Sequence, residues 1–431
     1  MMKSLLFLMS MIFLINKSSI LLQNLIFLMV FIMIFYMNGM EFYLISMNYG
    51  LNFYSFGLLI LTFWILGLMF LSVKNLKYKK FMCELFMFFL MLILFLSFSS
   101  LSFFLFFLFF EFSLVPTFFL IVFWGFSSQR IVASYYFIFY TMIFSLPMLL
   151  VLFMMIMKYG TLSMILNKFY SFNLSILIQV LMMMGFLVKI PVFLLHSWLL
   201  KAHVEAPVFG SMILAALLLK LGGYGMLMFM NMIYDYFSNF IKMNLIMISL
   251  AGSLILSLVC LCQIDLKILV AYSSIVHMNM MLCGMFTMFN VGVLGAYMMM
   301  ISHGLSSSGL FYLVNINYER INSRLIFFNK GLMILMPNMS LMWFLICSSN
   351  MAAPFSLNLV SELFLLMSLI IFNKNLIWFL ILLCMFSFLY SLYLYSFVQH
   401  GKNLSMNKFS SGKLIEYLMM LLHSKKYLNI K

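Results

Sequence analysis

Apolar stretches of roughly twenty residues follow one another along nearly the whole chain, separated by short polar or Gly/Pro punctuation. A helix rises about 1.5 Å per residue, so a stretch of this length crosses the ~30 Å hydrocarbon layer of a bilayer with its backbone polar groups satisfied internally. The stretches are 4–16, 20–37, 53–73, 81–99, 101–123, 131–157, 174–200, 207–231, 243–262, 266–287, 290–316, 332–372 and 376–398. A fourteenth, 412–430, is short and holds Glu416 and His423, so a last crossing and an amphipathic interfacial helix are both open. Residues 332–372 are too long for one straight crossing. Ser348-Ser349-Asn350 and Pro354 interrupt them, which reads as one discontinuous span or as two crossings. The expectation is an all-α polytopic membrane protein with about fourteen transmembrane helices.

Composition excludes the alternatives. Of 431 residues, 66% are hydrophobic and 8% charged, and a chain with 53 Phe and 47 Met could not cover its own surface in water. The net charge of +15 contains no run of like charges that could serve as a nucleic-acid arm. The excess instead marks orientation. Counted in the connections and beside the span ends, Lys and Arg divide fourteen against eight, which places the N-terminus away from the compartment of synthesis. The basic segment Lys74 to Lys80 and the group Arg320, Arg324 and Lys330 read as solvated topology signals, with contact to anionic lipid as the alternative. Lys3 precedes an apolar run with no cleavage or transit signature, so that run reads as the first span. No connection is long enough to form a nucleotide-binding domain, and Gly222-Gly223-Tyr224-Gly225 is neither a dinucleotide fingerprint nor a phosphate loop. The six cysteines form no CxxC pair. Cys260 and Cys262 sit two apart on a helix and face different ways, so neither a metal site nor a bound cofactor is expected in this chain.

Four charges lie where charge is costly. Glu111 falls near the middle of the fifth span, Lys189 and Lys220 near the centres of the seventh and eighth, and Glu362 in the second half of the broken twelfth. Together they oppose insertion by roughly 10 kcal/mol unless they face a wet or paired interior. A Glu111–Lys189 pair could serve only to lock two helices together. Two lysines and two carboxylates spread over four helices, however, form a chain of titratable groups, the requirement for moving protons through hydrocarbon. A change in the Glu111 to Lys189 distance would then change the protonation of Lys189. His277 and His303, each among hydroxyl residues, read either as satisfied core residues or as further steps of that relay. His196, His203 and Glu205 read as solvated or interfacial, and His400 and His423 receive no role.

Pro191 interrupts the seventh span beside Lys189, and Pro354 interrupts the twelfth near Glu362. Interrupted helices at corresponding places in two halves point to inverted repeats with a midplane site, and their freed backbone groups need protein or water. The division expected is three N-terminal helices in 1–80, a five-helix repeat in 81–231, a second and inverted five-helix repeat in 243–398, and a C-terminal segment in 399–431. Helices 7 and 12 are the broken ones.

Longer motifs carry a resemblance. Leu187-Val188-Lys189-Ile190-Pro191, His196-Ser197-Trp198-Leu199-Leu200-Lys201-Ala202-His203-Val204-Glu205-Ala206-Pro207, and Leu218-Leu219-Lys220-Leu221-Gly222-Gly223-Tyr224-Gly225 resemble the chain 4 family of mitochondrial NADH-ubiquinone oxidoreductases. Phe110-Glu111, Ser113-Leu114-Val115-Pro116-Thr117, Asp265-Leu266-Lys267, Ala271-Tyr272-Ser273-Ser274 and Ser361-Glu362-Leu363 fit in order, over about residues 81–400. The chain departs at Leu200, where the family usually has proline, at Phe123 and Met228, where it often has arginine, and at Phe144, usually glycine.

The resemblance implies an antiporter-like, proton-pumping subunit in the membrane arm of respiratory complex I, in the mitochondrial inner membrane. It implies Glu111, Lys189, Lys220 and Glu362 as the hydrophilic axis, with His277 and His303 on the route. It also implies NAD, FMN, iron–sulfur clusters and ubiquinone in other subunits, with membrane-arm subunits, neighbouring antiporter-like chains and lipids as partners. The bias towards codons of an A+T-rich genome, and the Met excess, fit an organellar code. A subunit of a cation/proton antiporter acting without NADH, and a passive membrane scaffold, are the competing readings.

Overall fold

A computed structural model describes residues 2–14, 19–35, 43–46, 48–73, 79–160, 162–164, 175–233, 238–402 and 410–428. Along the chain the elements are α1 (Met2–Ser10), α2 (Ser19–Phe35), β1 (Tyr43–Ser46), β2 (Tyr49–Leu51), α3 (Phe53–Ser72), α4 (Lys80–Ser99), α5 (Phe103–Phe112), α6 (Leu114–Trp124), α7 (Arg130–Tyr159), α8 (Ile176–Lys189), α9 (Ser197–Glu205) and α10 (Val208–Ile213). A π turn over Leu214–Leu218 leads into α11 (Leu219–Met232). There follow α12 (Asn239–Leu261), α13 (Leu266–Thr287), α14 (Asn290–Ile321), α15 (Leu332–Leu335), α16 (Pro337–Asn350), α17 (Leu357–Phe372), α18 (Ile377–Gln399) and α19 (Leu414–Leu428).

Among the described residues the fold is all-α and polytopic apart from one short antiparallel ribbon, β1–β2, whose Tyr49 bridges to Ser100 at the end of α4. Among the described residues, eight helical segments have by themselves the length and hydropathy to cross a membrane: 53–72, 80–99, 103–124, 130–159, 208–232, 239–261, 266–287 and 374–399. Of the other expected spans, α14 is long and continuous but less apolar, and the rest are shorter or divided. Residues 332–372 become α15, α16 and α17, with 351–356 non-helical, and the seventh span divides after Lys189. Of the basic segment Lys74 to Lys80, residues 74–78 lie outside the described residues. Lys80 within it pairs with Glu84, one turn along α4, at 3.7 Å.

The chain forms two compact units, one of Met1–Ile190 with Glu205–Phe237 and one of Pro191–Val204 with Ser238–Lys431. In the first, α3 packs on α2 and α4, α7 on α8, and α8 on α11. Glycines set the closest approaches. A Cβ on Gly67 would stand 2.8 Å from a Phe27 ring carbon, and one on Gly225 would press into the rings of Phe186 and Phe106. Phe106, Phe110, Phe186 and Tyr224 interlock edge-to-face or tilted, filling this interior with aromatic carbon.

In the second unit α13 lies against α12, α14 and α17, while α18 covers α12 and α16. A Cβ on Gly295 would stand 2.9 Å from Phe364 Cβ and 3.1 Å from the Leu365 nitrogen, so the bare glycine is what admits α17 against α14. The C-terminal helix α19 packs on α14 and α16. Arg320 at the end of α14 holds it there through Glu416, at 2.5 Å, with both side chains almost fully buried. Arg320 is therefore a buried tether and not the solvated signal its sequence setting suggested.

Candidate functional site

Two local irregularities position the charged groups of the first unit. The residue before a proline is driven out of the α region. Ile190 accordingly adopts φ −89°, ψ 86°, and α8 stops with Lys189 as its last residue. On the facing segment, Pro116 has no N–H to offer its own helix, and the chain changes from α5 to α6 at Ser113. The Lys189 Nζ donates to the Phe110 carbonyl at 2.7 Å and lies 3.1 Å from the centre of the Phe110 ring. The same carbonyl accepts the Ser113 hydroxyl at 2.7 Å.

Glu111 is the next residue. Its carboxylate interacts electrostatically with Lys189 and lies near Ser145 of α7, while its Oε1 is buried without a hydrogen-bond partner among the described residues. The two charges expected to meet are brought into one place, but the ammonium is seated on the backbone beside the carboxylate.

Lys220 follows the π turn. The Leu219 N–H reaches back five residues to the Leu214 carbonyl, and the Lys220 Nζ, wholly buried, donates to the Ala215 carbonyl at 2.6 Å. The widened turn leaves that carbonyl accessible to a side chain of its own helix. Two residues on, Gly222 lies against the end of α8. A Cβ there would come within 2.9 Å of Ile190 Cγ1 and 3.1 Å of Lys189 Cβ, so the bare Gly222 is what seats α11 against the end of α8.

In the second unit Glu362, His277 and His303 come together. Glu362 Oε1 lies 3.7 Å from His277 Nδ1, and His277 Nε2 lies 3.0 Å from the Tyr390 hydroxyl of α18. The rings of His277 and His303 are 5.4 Å apart, and the Ser307 hydroxyl bonds the His303 carbonyl at 2.6 Å. A carboxylate, an imidazole and a phenol in sequence, with the second imidazole beside them, make an arrangement that can pass a proton.

Several members were not legible beforehand. Tyr390 lies in an α18 rich in tyrosine, and nothing in its spacing sets it apart. Lys267, at the start of the tenth span and given no role beforehand, is 1% exposed and donates to the Val204 carbonyl at 3.4 Å. His203, read as solvated, is wholly buried with its ring stacked on Phe311 at 4.6 Å. Glu205 is also buried, bonded to the Ser127 hydroxyl in the α6–α7 connection. Burial of these short segments follows from packing around the interrupted helices, which hydropathy does not register. His196 stacks on Phe193 at 6.0 Å. Cys260 is buried and Cys262 exposed, on different sides of the end of α12.

A family model described as NADH:quinone oxidoreductase/Mrp antiporter, TM, matches residues 99–389, and one described as NADH-ubiquinone oxidoreductase chain 4, amino terminus, matches residues 1–100. The protein named NADH-ubiquinone oxidoreductase chain 4 in Apis mellifera ligustica is 46% identical over 408 residues, covering 95% of this chain and 90% of the relative. The chain belongs to the NADH-ubiquinone oxidoreductase chain 4 family. The family member from Aedes aegypti is 49% identical over 371 residues, covering 85% of this chain and 82% of its own. In fold, the chain is similar to a chain of respiratory complex I from Thermus thermophilus, with a TM-score of 0.86 at 21% identity over 95% of this chain and 89% of that one. It is also similar to a chain of the Mrp complex from Dietzia sp., with a TM-score of 0.82 at 18% identity, covering 99% of this chain and 50% of that one.

Proposed function

We propose that the chain moves protons across the mitochondrial inner membrane as a membrane-arm subunit of NADH:ubiquinone oxidoreductase, through Glu111, Lys189, Lys220, His277, His303 and Glu362. The observation that carries this reading is the seating of Lys189 and Lys220. Each buried ammonium is held by a backbone carbonyl at an irregularity of a helix, on the Phe110 carbonyl in one case and the Ala215 carbonyl in the other. A group held this way is taken out of water and still has a hydrogen-bond partner.

An electrostatic change arriving from a neighbouring subunit displaces the Lys189 ammonium between the Phe110 carbonyl and Glu111, and its protonation follows. The proton passes by way of Lys220 to the Glu362, His277, Tyr390 group and on to the outer face. Residues 81–231 and 243–398 act as the two five-helix repeats of this machinery. Hydride and electron transfer belong to NAD, FMN, iron–sulfur clusters and ubiquinone in other subunits of the complex, with neighbouring antiporter-like chains as this subunit's partners.

Similarity to an Mrp chain is the observation behind a second reading, exchange of a cation for protons without NADH. Relatives at 46% and 49% identity carrying the chain 4 name support the first. In the assembled complex, Lys220→Ala is expected to abolish proton pumping while NADH-dependent quinone reduction can still be measured. Full pumping by that variant would falsify the relay. Sodium-dependent exchange by the isolated chain would favour the second reading.

A further inference from the structure

Arg320, Arg324 and Lys330 read in the sequence as one basic group, but they do not serve one purpose. Arg320 is taken up in holding α19. Lys330, in the connection that leaves α14, is seated between two rings. Its Nζ lies 4.9 Å from the centre of the Phe327 ring and 5.5 Å from that of Phe397, near the end of α18. Its stem runs beside Gly401, where a Cβ would stand 3.5 Å from Lys330 Cδ, and the exposed Lys402 follows. Ring faces attract an ammonium through their quadrupoles without neutralising it. Among the described residues no carboxylate forms an ion pair with Lys330 or Lys402.

Beside this charge the surface is carbon. Phe327 and Phe328 are exposed, and Gly331 turns the chain at φ 73°. The short α15 then anchors itself by the buried Leu332 and turns Met333 and Ile334 outward, the latter 83% exposed. α15 rests on α18 as well as on α16, which keeps this ridge beside Phe397 and Lys330. Both α14 and α18 end here, on the side of the membrane where Lys and Arg are in excess. Soluble anions need only the charge, and hydrocarbon alone needs only the ridge. The two together, at the ends of spans, match a molecule with an anionic head and apolar tails.

We propose that this surface is a binding site for an anionic phospholipid, its phosphate on Lys330 and Lys402 and an acyl chain along Phe328, Met333 and Ile334. Phe327 and Phe397 act as positioning residues. A free lysine stem samples many rotamers and loses that freedom on binding, whereas an ammonium already held between two rings loses less.

The test places the intact complex in phosphatidylcholine nanodiscs carrying a photoactivatable phospholipid, either phosphatidylglycerol or phosphatidylcholine with the same reactive acyl chain, and maps the adducts by mass spectrometry. The peptide from Phe327 to Ile334 should take the anionic probe in preference to the neutral one, while the exposed stretch of α18 around Met385 takes both equally. Lys330→Gln should lower that preference roughly fivefold, the contribution of one lysine at an anionic surface. Adding Lys402→Gln should abolish it, whereas Lys330→Arg should keep most of it. Equal labelling by the two probes, or a preference that survives the double variant, overturns the site and leaves annular lipid only. Displacement of the anionic probe by millimolar inorganic phosphate overturns it in favour of a soluble anion. Absence of any adduct at the ridge means that another chain covers it, which overturns it as well. If the double variant fails to assemble, the wild-type preference and the phosphate competition decide. Pumping is not the readout, so failure here leaves the proton relay untouched.

Discussion

His277 stands between Glu362 and Tyr390, with Nδ1 3.7 Å from the carboxylate and Nε2 3.0 Å from the phenol. An imidazole held by a different partner on each nitrogen can take a proton at one and release it at the other, moving charge across the ring without turning. Tyr390→Phe removes the far partner while keeping the ring volume. Pumping per NADH should fall about tenfold or more, by the ~1–3 kcal/mol of a buried hydrogen bond. Native gel mobility and quinone reduction should be retained. The check is a vesicle acidification assay beside both, and undiminished acidification removes Tyr390 from the path.

Glu111→Gln keeps the shape of the side chain and deletes its charge. The Lys189 ammonium should then stay on the Phe110 carbonyl, and pumping should drop steeply, while Glu111→Asp should preserve part of it. Comparing initial rates of acidification for the two variants checks the switch. Equal impairment of both would indicate packing and not charge.

Gly222→Ala probes the approach of α11 to the end of α8. Its methyl group would have to displace Ile190 Cγ1 from 2.9 Å and Lys189 Cβ from 3.1 Å. Overpacking of this kind costs ~1–3 kcal/mol. Pumping is expected to suffer more than assembly does, because the displaced group is the lysine's own stem. Measuring assembled complex by native gel against acidification rate separates the two effects.

Arg320→Met should release α19. It leaves the Glu416 carboxylate buried beside an apolar neighbour, a loss of ~3–5 kcal/mol, and it removes the bonds from Arg320 to the Ser410 and Ser411 carbonyls. Faster protease cleavage near residue 410 is the expected readout. The double variant Arg320→Met with Glu416→Leu should recover part of the resistance, since no charge is then left stranded.

The membrane architecture was legible because hydrocarbon imposes a single demand, a length of apolar helix, and α3, α4, α13 and α18 meet it to within a residue at each end, while α12 begins four residues early. The intramembrane charges were legible for the converse reason, since Glu111, Lys189, Lys220 and Glu362 stand out against an apolar background. Arg320 was misjudged because it lies at a helix end, where a sequence reads as solvated. Whether such a residue is buried depends on what folds over it, here α19. Tyr390 and the seating of Lys189 on a carbonyl are tertiary events between distant segments, and local pattern carries no trace of either.

The π turn at Leu214–Leu218 carries a consequence for what counts as a mild mutation. Each residue of a helix advances the next by about 100° around its axis, and a wide turn takes in one residue more than an α turn while returning the chain to the same heading. Deleting a single alanine from Ala215-Ala216 would leave hydropathy, charge and span length almost untouched. The turn would close to a regular one, leaving Gly222 and Gly225 against α8 but taking away the loosened carbonyl that holds the Lys220 ammonium. A chain so altered would still insert in the membrane and still read as the same protein, with its buried ammonium moved off its seat.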